Sequence, residues 1–302
     1  MIKTIHCSLT PIEKLTSLYR IYGVVTICID NISFKIYSKA DDHIANELFY
    51  NNGYEAQEFQ LIKALTKKSR YFIDVGSNTG IFSIYSALTN KDLNVVSIEP
   101  HPSNYRRLLQ NVEINKLTNI KAFPNAAGST EGTVEFTIPK DLSISTTASS
   151  NAAYTKNFHN IEYTTIAVRQ KKVDDLLAEL PITQRDVIKI DVEYYELEVL
   201  KGAESILKYK RPLVVIEILE YEILISQFPA MKGKIDATHA DKIFNFLMHL
   251  GYYCYSIDQN GLTFLHSPER QQNRNFLFTP IRLLQHTYAH SEIDKVLQEI
   301  SE

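Results

Sequence analysis

Cysteine is scarce in this chain of 302 residues, and tryptophan is absent. The three cysteines, Cys7, Cys28 and Cys254, contain no Cys-x-x-Cys pair and no pattern of a disulfide framework. This usage suits a reducing compartment, and we expect a cytoplasmic protein. Glycine and proline, with ten residues each, form no repeat and no low-complexity tract.

The sequence also lacks long apolar runs and an excess of positive charge. No run approaches the roughly 18 apolar residues that a transmembrane helix needs, so no transmembrane segment is expected. The formal net charge is −3, which provides no broad basic surface for nucleic acid. We therefore expect a small molecule or a saccharide as partner, whereas the sequence leaves the oligomeric state open.

The composition is that of an ordinary globular protein, with 44% apolar and 22% charged residues. Thr10-Pro11-Ile12-Glu13 has the form of a capping box and predicts a short helix that ends at Gly23. Alternating apolar residues on either side of Asp30-Asn31 predict a β-hairpin over residues 24–37. We interpret residues 1–53 as an N-terminal extension and residues 54–302 as the main domain.

From residue 71 onward, strand and helix patterns alternate, which predicts an α/β fold with a doubly wound, mostly parallel sheet. Residues 133–138 and 161–169 predict two further strands, and the Ser/Thr/Asn-rich segment 143–160 between them is either a lid or an exposed loop. A terminal helix is predicted from about residue 281. The predicted sheet has seven strands, near residues 71–75, 94–99, 119–123, 186–191, 212–219, 252–257 and 275–279.

The most informative pattern is an apolar run that stops at Asp74 and turns through Gly76 and Gly80 into a helical pattern. A second apolar run ends at Glu99, 19 residues after Gly80. Open α/β sheets bind ligands at the carboxyl ends of such strands, and an acid after the second strand can bond both hydroxyls of a ribose. The two runs therefore predict a nucleoside site, against the alternative of an ordinary turn with surface acids.

The glycine spacing narrows the choice of nucleoside. A pyrophosphate-binding turn needs G-x-G-x-x-G, whereas this turn reads G-x-x-x-G and follows an acid, which speaks against a nicotinamide oxidoreductase. S-adenosyl-L-methionine has no phosphate and carries a sulfonium and an ammonium, so it suits an acidic strand end. This cofactor is the one that the turn predicts.

Three motifs together resemble the FkbM family of S-adenosylmethionine-dependent methyltransferases: Asp74-Val75-Gly76-Ser77-Asn78, Glu99-Pro100-His101-Pro102 and Lys189-Ile190-Asp191-Val192-Glu193. Further matches are Tyr54-Glu55, Asn104, Asn111, Asn115, Asn125-Ala126-Ala127 and Val199-Leu200-Lys201-Gly202-Ala203. The resemblance covers about residues 54–220, and it implies a Rossmann-like fold whose final strand is reversed. The residues expected at the cofactor are Glu55, Asp74, Gly76, Ser77, Asn78, Gly80, Glu99, Pro100, Asn125, Ala126 and Asp191.

Carboxylates after the fourth and fifth strands are the candidates for the chemical step. Asp191 and Glu193 follow the fourth strand and Glu217 ends the fifth, where a carboxylate can take the proton of an acceptor hydroxyl. Repulsion within such a cluster raises at least one pKa. We predict no metal, and we expect Glu196 and Glu198 on a solvated helix face. His101 is expected to contact adenine or solvent.

Tyr194 departs from the family pattern, which usually has glycine after Asp-Val-Glu. Its phenol would narrow the acceptor pocket or stack on a ring. The sequence as a whole predicts an S-adenosylmethionine-dependent O-methyltransferase that acts on a hydroxyl of a small molecule, sugar or glycan. The competing hypothesis is a non-catalytic scaffold that binds the same cofactor without releasing S-adenosylhomocysteine.

Overall fold

The computed structural model of the protein describes residues 21–39, 43–50, 55–140, 148–158, 162–266 and 274–300. Two 3₁₀ turns accompany the helices and strands, Pro229–Met231 and His290–Glu292. The helices are α1 His43–Tyr50, α2 Ala56–Thr66, α3 Ile81–Thr89, α4 Pro102–Ile114, α5 Ala152–Phe158, α6 Val173–Leu176, α7 Glu196–Gly202, α8 Glu204–Tyr209, α9 Tyr221–Gln227, α10 His239–His249 and α11 Ile293–Glu299. The strands are β1 Tyr22–Ile29, β2 Ile32–Lys39, β3 Tyr71–Val75, β4 Asn94–Ile98, β5 Ile120–Phe123, β6 Ala126–Ala127, β7 Gly132–Pro139, β8 Tyr163–Lys171, β9 Val187–Ile190, β10 Leu213–Glu217, β11 Tyr253–Asp258, β12 Gly261–Leu265, β13 Asn275–Thr279 and β14 Thr287–Ala289.

The main sheet is mixed and has nine strands in the order β14-β12-β11-β13-β10-β9-β3-β4-β5. The five strands from β10 to β5 are parallel, and β13 pairs antiparallel with both β10 and β11. This α/β architecture and the reversed β13 agree with the sequence. The predicted number of seven strands is wrong, because β12 follows β11 through a two-residue turn and β14 pairs on its far side.

Apolar side chains alternate to both faces of the parallel strands, which is why helices cover the sheet on both sides. Phe72, Val95 and Val187 face one core, which they share with α2, α3 and α11. Their neighbours Ile73, Val96 and Ile188 face a second core, which they share with α7, α8 and α10. Since the strands are held from both sides, their carboxyl ends form a fixed edge.

The predicted β-hairpin is confirmed as β1 and β2, joined at Asp30-Asn31 with φ values of 49° and 65°. Both angles are positive, as a two-residue type I′ turn requires. Phe34 and Ile36 are buried in the core that also holds α2 and α3. The hairpin thus packs on the main domain. Most of the helix predicted before the hairpin lies outside the described residues. At its predicted end, Gly23 belongs to β1.

The sequence placed three other segments differently. Residues 194–208, where the helical pattern after the fourth strand predicts one helix, contain two helices, α7 and α8, which meet at Ala203. Residues 281–292 are not the start of the terminal helix, because Tyr288 is fully buried in β14 and the helix begins at Ile293. The segment 143–160 contains α5, beside the three-stranded sheet β6-β8-β7.

Over the ranges described above, no helix is both long and apolar enough to cross a membrane.

Candidate active site

The turn between β3 and α3 builds the first wall of a cleft at the carboxyl edge of the sheet. Asp74 ends β3 almost fully buried, and the Ser83 hydroxyl donates a hydrogen bond of 2.6 Å to its Oδ2. Burial raises the pKa of this carboxyl. Gly76 has a φ of 83°, and a Cβ on it would lie 1.8 Å from the carbonyl oxygen of Asp191. Gly76 is therefore required for contact between two strand ends, in addition to lining the cleft where the cofactor is predicted.

Gly80 begins α3 with a φ of 87°, as expected, but it does not line the cleft. A Cβ on Gly80 would lie 3.0 Å from Cδ1 of Leu108. Its position serves the packing of α3 on α4. The cofactor contact predicted for Gly80 therefore has no counterpart in the cleft wall.

Glu99 follows β4, the neighbour of β3, and its carboxylate is fixed by two backbone groups. Its oxygens accept hydrogen bonds of 2.8 Å from the N–H of Asn78 and from the N–H of His101. Burial raises the pKa of Glu99 to about 7, although both hydrogen bonds act to lower it. A carboxylate has about four lone-pair sites, so this one retains capacity for further donors such as ribose hydroxyls.

His101 caps α4, since its Nδ1 accepts hydrogen bonds from the N–H groups of Ser103 and Asn104. The side chain is buried, does not line the cleft, and burial lowers its pKa to about 4. Contact with adenine or solvent, the role predicted for His101, is therefore wrong. Ser77 and Thr79 do line the cleft, and the hydroxyl of each is buried without a hydrogen-bond partner among the described residues. A buried hydroxyl without a partner costs roughly 1–3 kcal/mol.

Lys189 lines the cleft but was not among the site residues predicted from the sequence. Its ammonium lies 2.8 Å from Oδ2 of Asp191 and 4.6 Å from the centre of the Phe82 ring. Burial alone would lower the pKa of Lys189, but the negative charges of Asp191, Glu55 and Asp74 outweigh it and raise the pKa. The available signal was a single charged residue within the apolar strand β9.

Glu193 and Glu217 complete the acidic end of the cleft. Burial and the negative charge of Asp191 raise the pKa of Glu193 to about 8. Burial, Asp191 and Glu193 raise the pKa of Glu217 well above its usual range. The phenol of Tyr154 donates a hydrogen bond of 2.6 Å to Oε2 of Glu193. A pKa of about 8 allows Glu193 to exchange protons near neutral pH, as a general base does.

Twelve of the thirteen predicted site residues line this one cleft. Ligand sites are commonly concave surfaces with a few converging polar groups, and this cleft has that form. Its charged lining consists of six carboxylates and Lys189. The predicted residues in the lining are Glu55, Asp74, Gly76, Ser77, Asn78, Glu99, Pro100, Asn125, Ala126, Asp191, Glu193 and Glu217.

Tyr194 does not line the cleft, so it does not narrow an acceptor pocket there. Its ring is buried between Tyr154, at 5.6 Å, and His239, at 4.2 Å between ring centres. Its φ of 68° lies in the left-handed region, which explains why glycine suits this position. The expected stacking on a ring is found, and the rings belong to the protein itself.

Glu196 is buried rather than solvated, contrary to expectation. Its carboxylate accepts a hydrogen bond from the N–H of Tyr194 and lies 2.8 Å from Nε2 of His239. Glu198 is half-buried and bonds Ser129 and Lys201. In the described part of the chain, no three His, Cys, Asp or Glu side chains are grouped as a metal ion would need. Tyr54, which the sequence pairs with Glu55, lies outside the described residues.

Comparison with known proteins places the sequence among methyltransferases. The family model of the methyltransferase FkbM domain matches residues 74–254. Methyltransferase sdnD of Sordaria araneosa is 26% identical over 199 residues, which cover 58% of this chain and 74% of that protein. Hexuronic acid methyltransferase AglP of Haloferax volcanii is 27% identical over 146 residues, 48% of this chain and 54% of that protein.

Among solved structures, the methyltransferase FkbM from Methylobacillus flagellatus aligns with a TM-score of 0.42 and 20% identity. The alignment covers 70% of this chain and 43% of that one. The O-methyltransferase TomG from Streptomyces achromogenes aligns with a TM-score of 0.41 and 12% identity, over 74% of this chain and 79% of that one.

Proposed function

Because the chain belongs to the FkbM methyltransferase family, we propose that it transfers a methyl group from S-adenosyl-L-methionine to a hydroxyl of a small molecule, sugar or glycan. The observation that carries this proposal is the pair of buried carboxylates, Asp74 and Glu99, at the ends of adjacent parallel strands in one cleft. Ligands of open α/β sheets bind at that edge.

The lining of the cleft fits the cofactor. S-adenosylmethionine has two positive groups and one carboxylate, and the lining has six acidic side chains and a single lysine. A positive group of the cofactor would stabilise the deprotonated form of the acidic side chain next to it. Glu99 would accept from the ribose hydroxyls, and Asn125 and Ala126 would border the adenine. Glu55 and Asp74 would face the amino-acid end of the cofactor, beside Ser77 and Thr79 in the lining.

The chemistry that the cofactor supplies is an electrophilic methyl group, and the protein has to hold an oxygen nucleophile in line with it. Asp191, Glu193 and Glu217 lie on the side of β3 away from Glu99, because β9 and β10 follow β3 in the sheet order. There a carboxylate accepts the proton of the acceptor hydroxyl. The raised pKa of Glu193 makes it a stronger base than an ordinary carboxylate.

The acceptor proposed for this cleft is uncharged. An acidic acceptor would add negative charge beside Glu193 and Glu217, where burial and repulsion from Asp191 already raise the pKa of both carboxyls. Methyl transfer to the hexuronic acid of the archaeal relative would therefore be disfavoured here. A neutral sugar or polyol carries hydroxyls without that penalty.

The competing scaffold hypothesis depended on Tyr194 obstructing the acceptor pocket. Since Tyr194 is packed outside the cleft, that reason falls away. Calorimetry with S-adenosylmethionine, followed by a screen of neutral and anionic hydroxyl acceptors for release of S-adenosylhomocysteine, tests the proposal. We expect one binding site per chain and turnover on a neutral acceptor. Binding of NAD in place of S-adenosylmethionine would refute the proposal, and cofactor binding without any turnover would favour the scaffold.

The base is tested separately on the acceptor that this screen identifies. We expect Asp191→Asn, Glu193→Gln or Glu217→Gln to lower kcat roughly 10²- to 10⁴-fold when the changed carboxylate is the general base. Cofactor affinity should change far less for Glu193 and Glu217, which lie away from Glu99. Full turnover by all three variants would leave positioning of the substrates as the source of the rate.

A further inference from the structure

The segment 148–158, called here the α5 segment, is fastened to the turn formed by Glu193 and Tyr194. The Ser149 hydroxyl donates a hydrogen bond of 2.7 Å to the carbonyl of Glu193, and the Asn151 side-chain amide donates one of 3.1 Å to the carbonyl of Tyr194. Both turn residues have positive φ, 56° and 68°. A non-glycine backbone in that region needs support from its surroundings, and the α5 segment provides it.

Tyr154 is the residue of the α5 segment that reaches the carboxylate itself. Its side chain is 1% exposed, and its ring stacks parallel to that of Tyr194 within 5°. Its hydroxyl donates to Oε2 of Glu193 at 2.6 Å. The ring stack restricts the phenol to one orientation, so the donor points at a fixed place.

Glu193 lines the cleft while Tyr154 does not. One carboxylate oxygen is therefore occupied by a donor behind the cleft wall, and the same carboxyl group still contributes to the cleft surface. A base that takes a proton in line with a methyl transfer has to be held within a few tenths of an ångström. The Glu193 side chain cannot restrain its own carboxylate, so a neighbouring residue has to do so.

We propose that Tyr154 is a positioning residue, whose phenol holds the Glu193 carboxylate at the cleft in the orientation that receives the proton of the acceptor hydroxyl. This inference rests on the proposed function. In the step, the O–H bond of the acceptor would break and its proton would bond to a carboxylate oxygen of Glu193. The acceptor oxygen would bond to the methyl carbon as the bond from that carbon to the cofactor's sulfur breaks, with the electron pair remaining on sulfur. Tyr154 keeps its own proton throughout, because burial and the charge of Glu193 raise its pKa well above the usual range.

The charges around Glu193 determine the direction of the expected pH effect. Burial, Asp191 beside it and Glu196 from α7 raise the pKa of Glu193, whereas the bond from Tyr154 and the positive charge of Arg274 before β13 lower it. Glu217 on β10 is also close enough for the charge of Glu193 to raise the pKa of Glu217. Loss of the phenol hydroxyl therefore raises the pKa of Glu193 further. Since the base acts when deprotonated, the rise of kcat with pH should move to higher pH.

Tyr154→Phe keeps the ring stack and removes only the donor, with the exposed Tyr209→Phe as its control. We expect the midpoint of the kcat–pH profile to move up by about one unit, and kcat at pH 7 to fall about tenfold, with cofactor affinity unchanged. Replacement of Tyr154 by 3-fluorotyrosine, a more acidic donor of almost the same shape, should move the midpoint down. A role in packing alone would leave both midpoints in place.

A measurement that needs no acceptor separates this inference from the proposed function. Carbon-13 NMR of glutamate carboxyls, with the Glu193 signal identified by its loss in Glu193→Gln, gives the pKa directly. We expect that pKa to rise in Tyr154→Phe and to fall with 3-fluorotyrosine. If neither changes in folded protein, the inference is wrong even when methyl transfer is observed. If the pKa of Glu193 changes in both variants but no acceptor leads to release of S-adenosylhomocysteine, the proposed function is wrong. The effect of Tyr154 on Glu193 is then still supported.

Discussion

Gly76 has no side chain, and this allows the ends of β3 and β9 to lie close together. The Cβ of any other residue there would lie 1.8 Å from the carbonyl oxygen of Asp191, far inside van der Waals contact. The position also has a φ of 83°, which side chains disfavour. Two separate costs therefore act on one substitution, and a second glycine of the chain allows them to be told apart.

We expect Gly76→Ala to destabilise the protein by at least about 3 kcal/mol more than Gly233→Ala. Gly233 has a similar φ of 71° but no atom within 4 Å of its added Cβ, so its variant carries only the backbone cost of about 1–2 kcal/mol. Urea unfolding of both variants provides the comparison. Equal losses would mean that the β3 and β9 ends can separate without penalty.

Glu99 should make cofactor binding depend on pH. With its pKa at about 7 in the protein without ligand, the carboxyl takes up a proton as the pH falls, and it then loses acceptor capacity toward ribose hydroxyls. We expect affinity for S-adenosylmethionine to decrease below about pH 7. In Glu99→Gln, affinity should be weaker by about 1–3 kcal/mol at pH 8 and should no longer change between pH 6 and 8.

Calorimetry across this pH range is the measurement, and the exposed Glu162→Gln is the matched control. The control should behave as the parent protein does at every pH. A pH dependence that persists in Glu99→Gln would assign the effect to another carboxyl of the cleft, such as Asp74.

At the scale of elements, the Glu193–Tyr194 turn joins α5 to α10 through a stack of three rings, Tyr154, Tyr194 and His239. The phenol of Tyr194 also donates to the carbonyl of Asp236, at 2.7 Å. The left-handed backbone of Tyr194 is unfavourable, but its ring fills a buried site between two helices. Its removal should therefore affect the packing of elements before it affects the choice of acceptor.

We expect Tyr194→Gly to lower the free energy of unfolding by about 2–4 kcal/mol. Relief of the left-handed backbone returns about 1 kcal/mol, but loss of a buried aromatic ring costs about 3–5 kcal/mol. Asn31→Gly is the control, because its φ of 65° is similar and its side chain is exposed in the hairpin turn. Thermal unfolding should show the control unchanged or more stable. A stabilised Tyr194→Gly would mean that the ring stack contributes little.

The sequence predicted the elements whose signals are local. The two acid-ended strands, the G-x-x-x-G turn and the Asp30-Asn31 hairpin could be placed because each depends on neighbouring residues. Tyr154 could not be placed, because its partner Glu193 is 39 positions away and the segment around it is rich in Ser, Thr and Asn. Lys189 was overlooked for a related reason, since its charge is matched by Asp74 and Glu55 from other elements.

At the scale of the whole molecule, the cleft concentrates buried acids whose pKa values are raised by folding. Glu99 has a pKa of about 7 and Glu193 of about 8, against about 4.5 when the chain is unfolded. In this range the folded protein holds protons that the unfolded chain has lost. Stability contributed in this way is present at lower pH and is lost as the pH rises toward the folded pKa values.

We therefore expect the cofactor-free protein to lose about 1–2 kcal/mol of stability between pH 6.5 and 8. His101, whose pKa is lowered to about 4, acts in the opposite direction only below about pH 6.5, outside this window. Urea unfolding at the two pH values measures the loss, and Glu193→Gln should reduce it. Stability that increases with pH across this window would contradict the raised carboxyl pKa values.

The order of strands in the main sheet also has a consequence for how a newly synthesised chain folds. Ile73 of β3 pairs with Ile188 of β9, and Val214 of β10 pairs with Phe278 of β13, so the central contacts join distant parts of the sequence. Such high contact order slows folding, because long loops must close before the pairing energy is gained. On the ribosome, β10 remains an open sheet edge until β13 has been synthesised. During that interval the apolar edge is exposed to aggregation, and a chaperone that shields it would raise the yield of native protein.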